Sequence, residues 1–245
     1  MNISKLLKND YYLNSSISFF KSNFDKRLKF IQKKKFLFNE ISNFINNCID
    51  NSKSIFIFCA GNSLISKNIK SNKIFIKEID QKYEIKYNPN VHYTSETQHE
   101  NISKCDTILI ADIEHQSNPT SNLLNLSKII KDDAKIIILS KNLIWMIFIK
   151  ILKLFFNFSP LKNNFLPSSY LNNLYSSCNL EVVRSEKLIA LPIYIPIITN
   201  FINRIFRLPL LNIFCSSDKL LLKENDLLFI ISCICDLLYL FELLT

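Results

Sequence analysis

Apolar residues recur at helical spacing between Ser15 and Asn51, at Ile17, Phe20, Phe24, Leu28 and Ile31 and again at Phe38, Ile41, Phe44, Ile45 and Ile49. That period predicts two helices before the first strand. The pattern changes in Ile55-Phe56-Ile57-Phe58-Cys59-Ala60-Gly61-Asn62-Ser63-Leu64-Ile65, where a β-rich apolar run breaks into small residues and resumes as a helix-like stretch, Leu64 to Ile69. A continuous apolar run of this kind reads as a strand covered on both faces. Lys73 to Ile79 is expected as a second strand, Asn90 to Thr94 as a short third, Cys105 to Asp112 as a fourth and Ala134 to Ser140 as a fifth. Asn118 to Ile130 reads as a helix with Leu123, Leu126 and Ile130 on one face.

Strands alternating with helices predict an α/β fold, a Rossmann-like, mostly parallel sheet with helices on both faces and apolar helical additions toward the C-terminus. In such sheets right-handed crossovers leave the ligand site outside the carboxyl ends of the strands, where strand order reverses. Cys59 to Ser63, Glu78, Glu96 and Asp112 then share one rim. Gly61 is the only glycine in the chain. A glycine just past a strand allows a tight turn whose amides face a nucleotide-like ligand at the next helix's N-terminus. The carboxylate ending the second strand can accept both hydroxyls of a ribose. Glu78 and Asp80 both qualify; Glu78 is preferred because the strand ends there and Asp80 begins the next turn, and the plainer alternative is a pair of solvated carboxylates.

The length of 245 residues and 48% hydrophobic content suit one domain, placed at residues 1–225, with an apolar tail at 226–245. The net charge of +9 raises nucleic acid or an anionic membrane as a partner. Lysine is accompanied by abundant asparagine and isoleucine, the mark of a compositional bias, and no basic stretch is interleaved with aromatics, so no nucleic-acid partner is expected. The seven cysteines are scattered without metal-type spacing; they are expected to be reduced, mostly buried thiols, with no metal site. Met1 to Asn9 is polar, with no apolar core of a signal peptide behind it, and a cytoplasmic location is expected.

The residues resemble class I S-adenosylmethionine-dependent methyltransferases. Cys59-Ala60-Gly61-Asn62-Ser63 looks like that family's glycine-rich first motif, Glu78-Ile79-Asp80 like its second and Asp106 to Asp112 like its strand-four motif. The resemblance implies S-adenosylmethionine as cofactor, with Glu96 the acidic residue facing the adenine. It spans roughly Ser15 to Cys215. Leu166-Pro167-Ser168-Ser169-Tyr170-Leu171, Leu180-Glu181-Val182-Val183-Arg184 and the proline-rich run from Leu188 to Pro209 are similar to a branch associated with glycosyltransferases of surface-glycan synthesis. That branch implies transfer of a methyl group to an oxygen or nitrogen of a small or glycan-type acceptor, and a glycosyltransferase as partner.

Two positions depart from the family pattern. Ile57 stands where an acidic residue is usual and Cys59 replaces the first loop glycine. A cysteine forced into a left-handed turn costs about 1 kcal/mol. The alternative is therefore a non-catalytic scaffold that keeps the sheet and binds a glycosyltransferase or a membrane surface. Methyl transfer chiefly requires alignment of donor and acceptor with exclusion of water. A base helps when the nucleophile is a hydroxyl, and His115, in the loop after strand four, is the candidate; a helix-capping histidine is the alternative. His92 and His99 read as surface residues, and Trp145 and Tyr170 as packing aromatics that could also stack on an acceptor ring. Leu143 to Phe158 and Leu188 to Leu211 read as lid helices or as segments lying at the inner membrane face. Leu227 to Leu244 is long enough to cross a bilayer but is interrupted by Asp236 and Glu242.

Overall fold

The computed structural model describes residues 11–33, 35–49, 54–61, 63–85, 88–94, 99–111, 113–140, 164, 166–185, 219–223 and 229–231. Ahead of the sheet lie α1 (Asn14–Ser22), α2 (Phe24–Lys33) and α3 (Lys35–Cys48), where the periodicity predicts two helices. The extra division falls at Asn23, which leaves helical dihedrals and donates its side-chain amide to the Phe19 carbonyl at 3.0 Å. Such local side-chain bonds are how asparagine competes with helix continuation.

Five parallel strands follow: β1 (Ser54–Cys59), β2 (Lys73–Glu78), β3 (Val91–Tyr93), β4 (Thr107–Ile110) and β5 (Lys135–Leu139). Their order is β3-β2-β1-β4-β5, so the direction of winding reverses between β1 and β4. This is the doubly wound α/β arrangement expected, with β2 to β5 within two residues of the predicted bounds at each end. A helix absent from the expected pattern, α4 (His99–Lys104), precedes β4; its sequence HENISK carries a single apolar residue, Ile102, which is fully buried. Leu64 to Ile69, expected as a helix, is a 3-10 segment, Ser63–Asn68, with the Ser66 hydroxyl bonded to the Ser63 carbonyl. Then come α5 (Pro119–Ser127), between β4 and β5, and α6 (Ser168–Ser177). Pro119 opens α5 and the Asn118 side chain accepts the Ser121 amide, a proline-started, asparagine-capped helix.

Side chains alternate across the sheet. Phe56, Phe58, Ile108, Ile110, Ile136 and Ile138 join one core with Ile102 of α4, Leu123 and Leu126 of α5 and Leu171, Leu174 and Tyr175 of α6. Ile55, Ile57, Ile74, Ile76, Leu109 and Ile137 point to the opposite face and are likewise buried, as are Phe38, Ile41 and Ile45 of α3. Both faces are therefore covered, which is why β1, β4 and β5 are apolar past their first residues.

The far edge of β5 carries two further strands, β8 (Lys219–Lys223), antiparallel, and β9 (Phe229–Ile231), parallel. Two-residue strands β6 (Leu180–Glu181) and β7 (Arg184–Ser185) pair with β8 and β9 respectively. Residues 229–231, within the stretch expected as an apolar tail, are thus part of the sheet. Leu143 to Phe158, Leu188 to Leu211 and the rest of the tail lie outside the described residues. No helix among the described residues is long and apolar enough to cross a membrane.

Candidate functional site

The carboxyl ends of β1 and β2 lie side by side, with Cys59 opposite Glu78 in the parallel register. Past Cys59 the chain turns at Gly61, whose φ of +71° is a backbone conformation that glycine adopts without penalty. The Glu78 carboxylate reaches across to this turn and accepts the Gly61 amide at 2.9 Å, with the Ile79 amide at 3.3 Å on the same oxygen.

Glu78 also lines a cleft of about 700 Å³ together with Ile79, Asp80, Gln81 and Thr94 from the ends of β2 and β3. The opposite wall is formed by Tyr11, Tyr12, Ile17 and Lys21. This wall was not legible as a site element in the sequence, because Tyr11 and Tyr12 stand far from any motif. Tertiary contacts carry it to the rim: the Leu13 amide donates to the His115 carbonyl at 2.8 Å and the Ser117 amide to the Tyr11 carbonyl at 2.9 Å. The Tyr12 hydroxyl donates to the Cys59 carbonyl at 2.7 Å. Tyr11 stacks on Phe58 with centroids 4.7 Å apart, and burial pushes its phenol pKa well up, against the smaller opposing effect of its Gln116 hydrogen bond.

Among the described residues of the proposed site, Glu78 alone both lines the cleft and touches the glycine turn. Asp80 caps the short 3-10 turn Gln81–Tyr83 through the Lys82 amide and lies 3.6 Å from the Lys21 ammonium of α1. Cys59 and Ala60 are buried, and Ser63 is buried with its hydroxyl on the Tyr83 carbonyl at 3.0 Å. Asn62, Glu96 and Asp112 lie outside the described residues, as does Trp145. The strain anticipated at Cys59 does not occur: it is the last residue of β1, and the positive φ falls on Gly61. Ile57 is fully buried within the same strand.

His115 is fully buried under α1, its Nδ1 3.1 Å from the Ser16 hydroxyl and its ring edge-on to Phe20. Phe20 also occupies the space that the glycine clears, since a β-carbon on Gly61 would meet the Phe20 ring at 3.0 Å and Tyr83 at 3.3 Å. Tyr170, on α6, is partly exposed and its hydroxyl pairs with Thr120 of α5 at 2.9 Å, joining the two helices. His92 is exposed on β3. His99 begins α4. Cys48, Cys59, Cys105 and Cys178 are buried thiols without disulfides, and burial pushes Cys105 up to about 11.

Among solved structures the same fold occurs in magnesium protoporphyrin IX methyltransferase from Synechocystis PCC 6803 with bound SAH, at 10% identity and a TM-score of 0.52 over 69% of this chain and 90% of that one. It occurs again in a SAM-dependent methyltransferase, possible histamine N-methyltransferase, from Thermotoga maritima, at 13% identity and a TM-score of 0.53 over 72% of this chain and 87% of that one. No family model matches the sequence, and no curated protein matches it. The fold is that of class I S-adenosylmethionine-dependent methyltransferases.

Proposed function

We propose that the protein is an S-adenosylmethionine-dependent methyltransferase acting on an oxygen or nitrogen of a small or glycan-type acceptor. The observation that carries this reading is Glu78: a carboxylate at the end of β2, tied to the amide of the loop glycine and facing a cleft large enough for an adenosine. In this reading Glu78 accepts the ribose hydroxyls, Asp80 and Thr94 edge the cleft, and the 59–63 loop faces the rest of the cofactor. The cofactor, when bound, supplies an electrophilic methyl group. The chain's contribution is to align it and to exclude water. His115, beside the β4 end of the rim, is the group to take a proton from a hydroxyl acceptor.

Titration calorimetry with S-adenosylhomocysteine tests the assignment. Binding on the order of micromolar is expected, and Glu78→Ala should weaken it about tenfold or more, since a charge-assisted hydrogen bond contributes roughly 1.5–3 kcal/mol. Unchanged affinity in that variant would remove Glu78 from the site. The second reading, a scaffold that binds a glycosyltransferase or membrane partner without the cofactor, is favoured by one observation, the closure of the Gly61 turn by Phe20. Absence of any binding by a folded protein, and by variants that uncover the turn, would remove the cofactor reading and leave this one.

A further inference from the structure

The open cleft and the glycine turn belong to one rim, and Phe20 sits on the turn. The cleft is lined by Glu78, Ile79, Asp80 and Thr94, and by none of Cys59, Ala60, Gly61 or Ser63. Between the two halves lies α1, with Ile17 and Lys21 facing the cleft and Phe20 seated on Gly61. A ligand whose ribose rests on Glu78 must extend toward β1, because Cys59 is the residue opposite Glu78 in the register. Phe20 stands in that path.

We infer that α1 is a movable cover that leaves the adenosine half of the cleft open and shuts the half at Gly61 until Phe20 lifts away; this rests on the cofactor reading above. The fastenings of α1 sit on the site itself. The Tyr83 hydroxyl donates to the Phe20 carbonyl at 2.9 Å, Lys21 pairs with Asp80 at 3.6 Å, and Ser16 meets His115 at 3.1 Å. Only Ser16 and Phe20 of its nine residues are buried outright, with Ile17 and Phe19 partly buried against the core. Segments with so little buried surface are the ones that open locally without global unfolding. Lifting α1 would uncover His115 and Gly61 together, so cofactor entry and exposure of the candidate base are one event.

The test compares adenosine, which needs only the open half, with S-adenosylhomocysteine, which needs both, on the full chain and on two variants. Phe20→Ala removes the plug, and Tyr83→Phe removes one fastening while leaving the ring on Gly61. Adenosine should bind all three proteins alike. Association of S-adenosylhomocysteine should accelerate about fivefold or more in Phe20→Ala, and less in Tyr83→Phe, as the closed population is relieved. Binding of S-adenosylhomocysteine by the variants alone would support the cover equally. Equal association rates in all three proteins would overturn the cover and leave the cofactor reading standing. Absence of binding of both ligands to all three proteins would overturn both. Should Phe20→Ala fail to fold, the Tyr83→Phe rate decides.

Discussion

At Gly61 two demands meet in one residue: the left-handed backbone and the lack of room for a β-carbon beneath Phe20. Gly61→Ala should therefore destabilise the fold by about 1–3 kcal/mol, read from the urea midpoint, even with no ligand present. Its position after the first strand was legible, because a lone glycine marks a turn wherever it stands. What filled the space beside it was not, since Phe20 lies 41 residues earlier in the chain and looks like any other apolar position of a helix. Cys59 illustrates the opposite case: family comparison placed a glycine there, but β1 runs one residue further than a loop at that position would allow, and an extended cysteine costs nothing.

β1, β4 and β5 were readable because burial on both faces leaves them free of polar residues past their first position, as in Ile136-Ile137-Ile138. Short polar elements were not: α4 contributes a single buried apolar side chain and has no period to detect. At the opposite end of the sheet from the cleft, Asp106 ties elements together. Its carboxylate accepts the Ser54 amide at 3.1 Å and hydroxyl at 3.0 Å, and the Lys131 ammonium lies 2.7 Å away. Burial works to raise its pKa, but the Lys131 and Ser54 hydrogen bonds and the Lys131 charge outweigh it and hold the carboxyl below its ordinary value. A depressed carboxyl stabilises the fold fully above its unfolded pKa of about 3.9 and loses that contribution as pH falls through the lower folded value. Asp106→Asn should consequently be less stable than the wild type at neutral pH. The gap should narrow as urea unfolding is repeated below about pH 4; a gap constant with pH would mean the contribution is not that of the charge.

Across the whole molecule, the sheet continues past β5 into residues assigned from composition to a tail. Phe229, Ile230 and Ile231 run parallel to both β5 and β7, although the apolar run they belong to shows no period that separates a strand from a helix. Deleting residues 227–245 should lower the melting temperature and produce aggregates on size-exclusion chromatography, because the β5 edge loses its parallel neighbour. A soluble, unchanged monomer would show that the pairing contributes little.

The crossing of Tyr11 to Leu13 over the rim also sets an order of events during folding. These residues bond to His115 and Ser117, and Tyr12 reaches Cys59, so the partners come from the end of β1 and from the segment that follows β4. Closing a loop of that length carries an entropic penalty that is offset only once the β1–β4 platform exists. On a ribosome Tyr11 emerges more than a hundred residues ahead of Ser117, whose amide it accepts. A segment made early thus reaches its place only after one made much later.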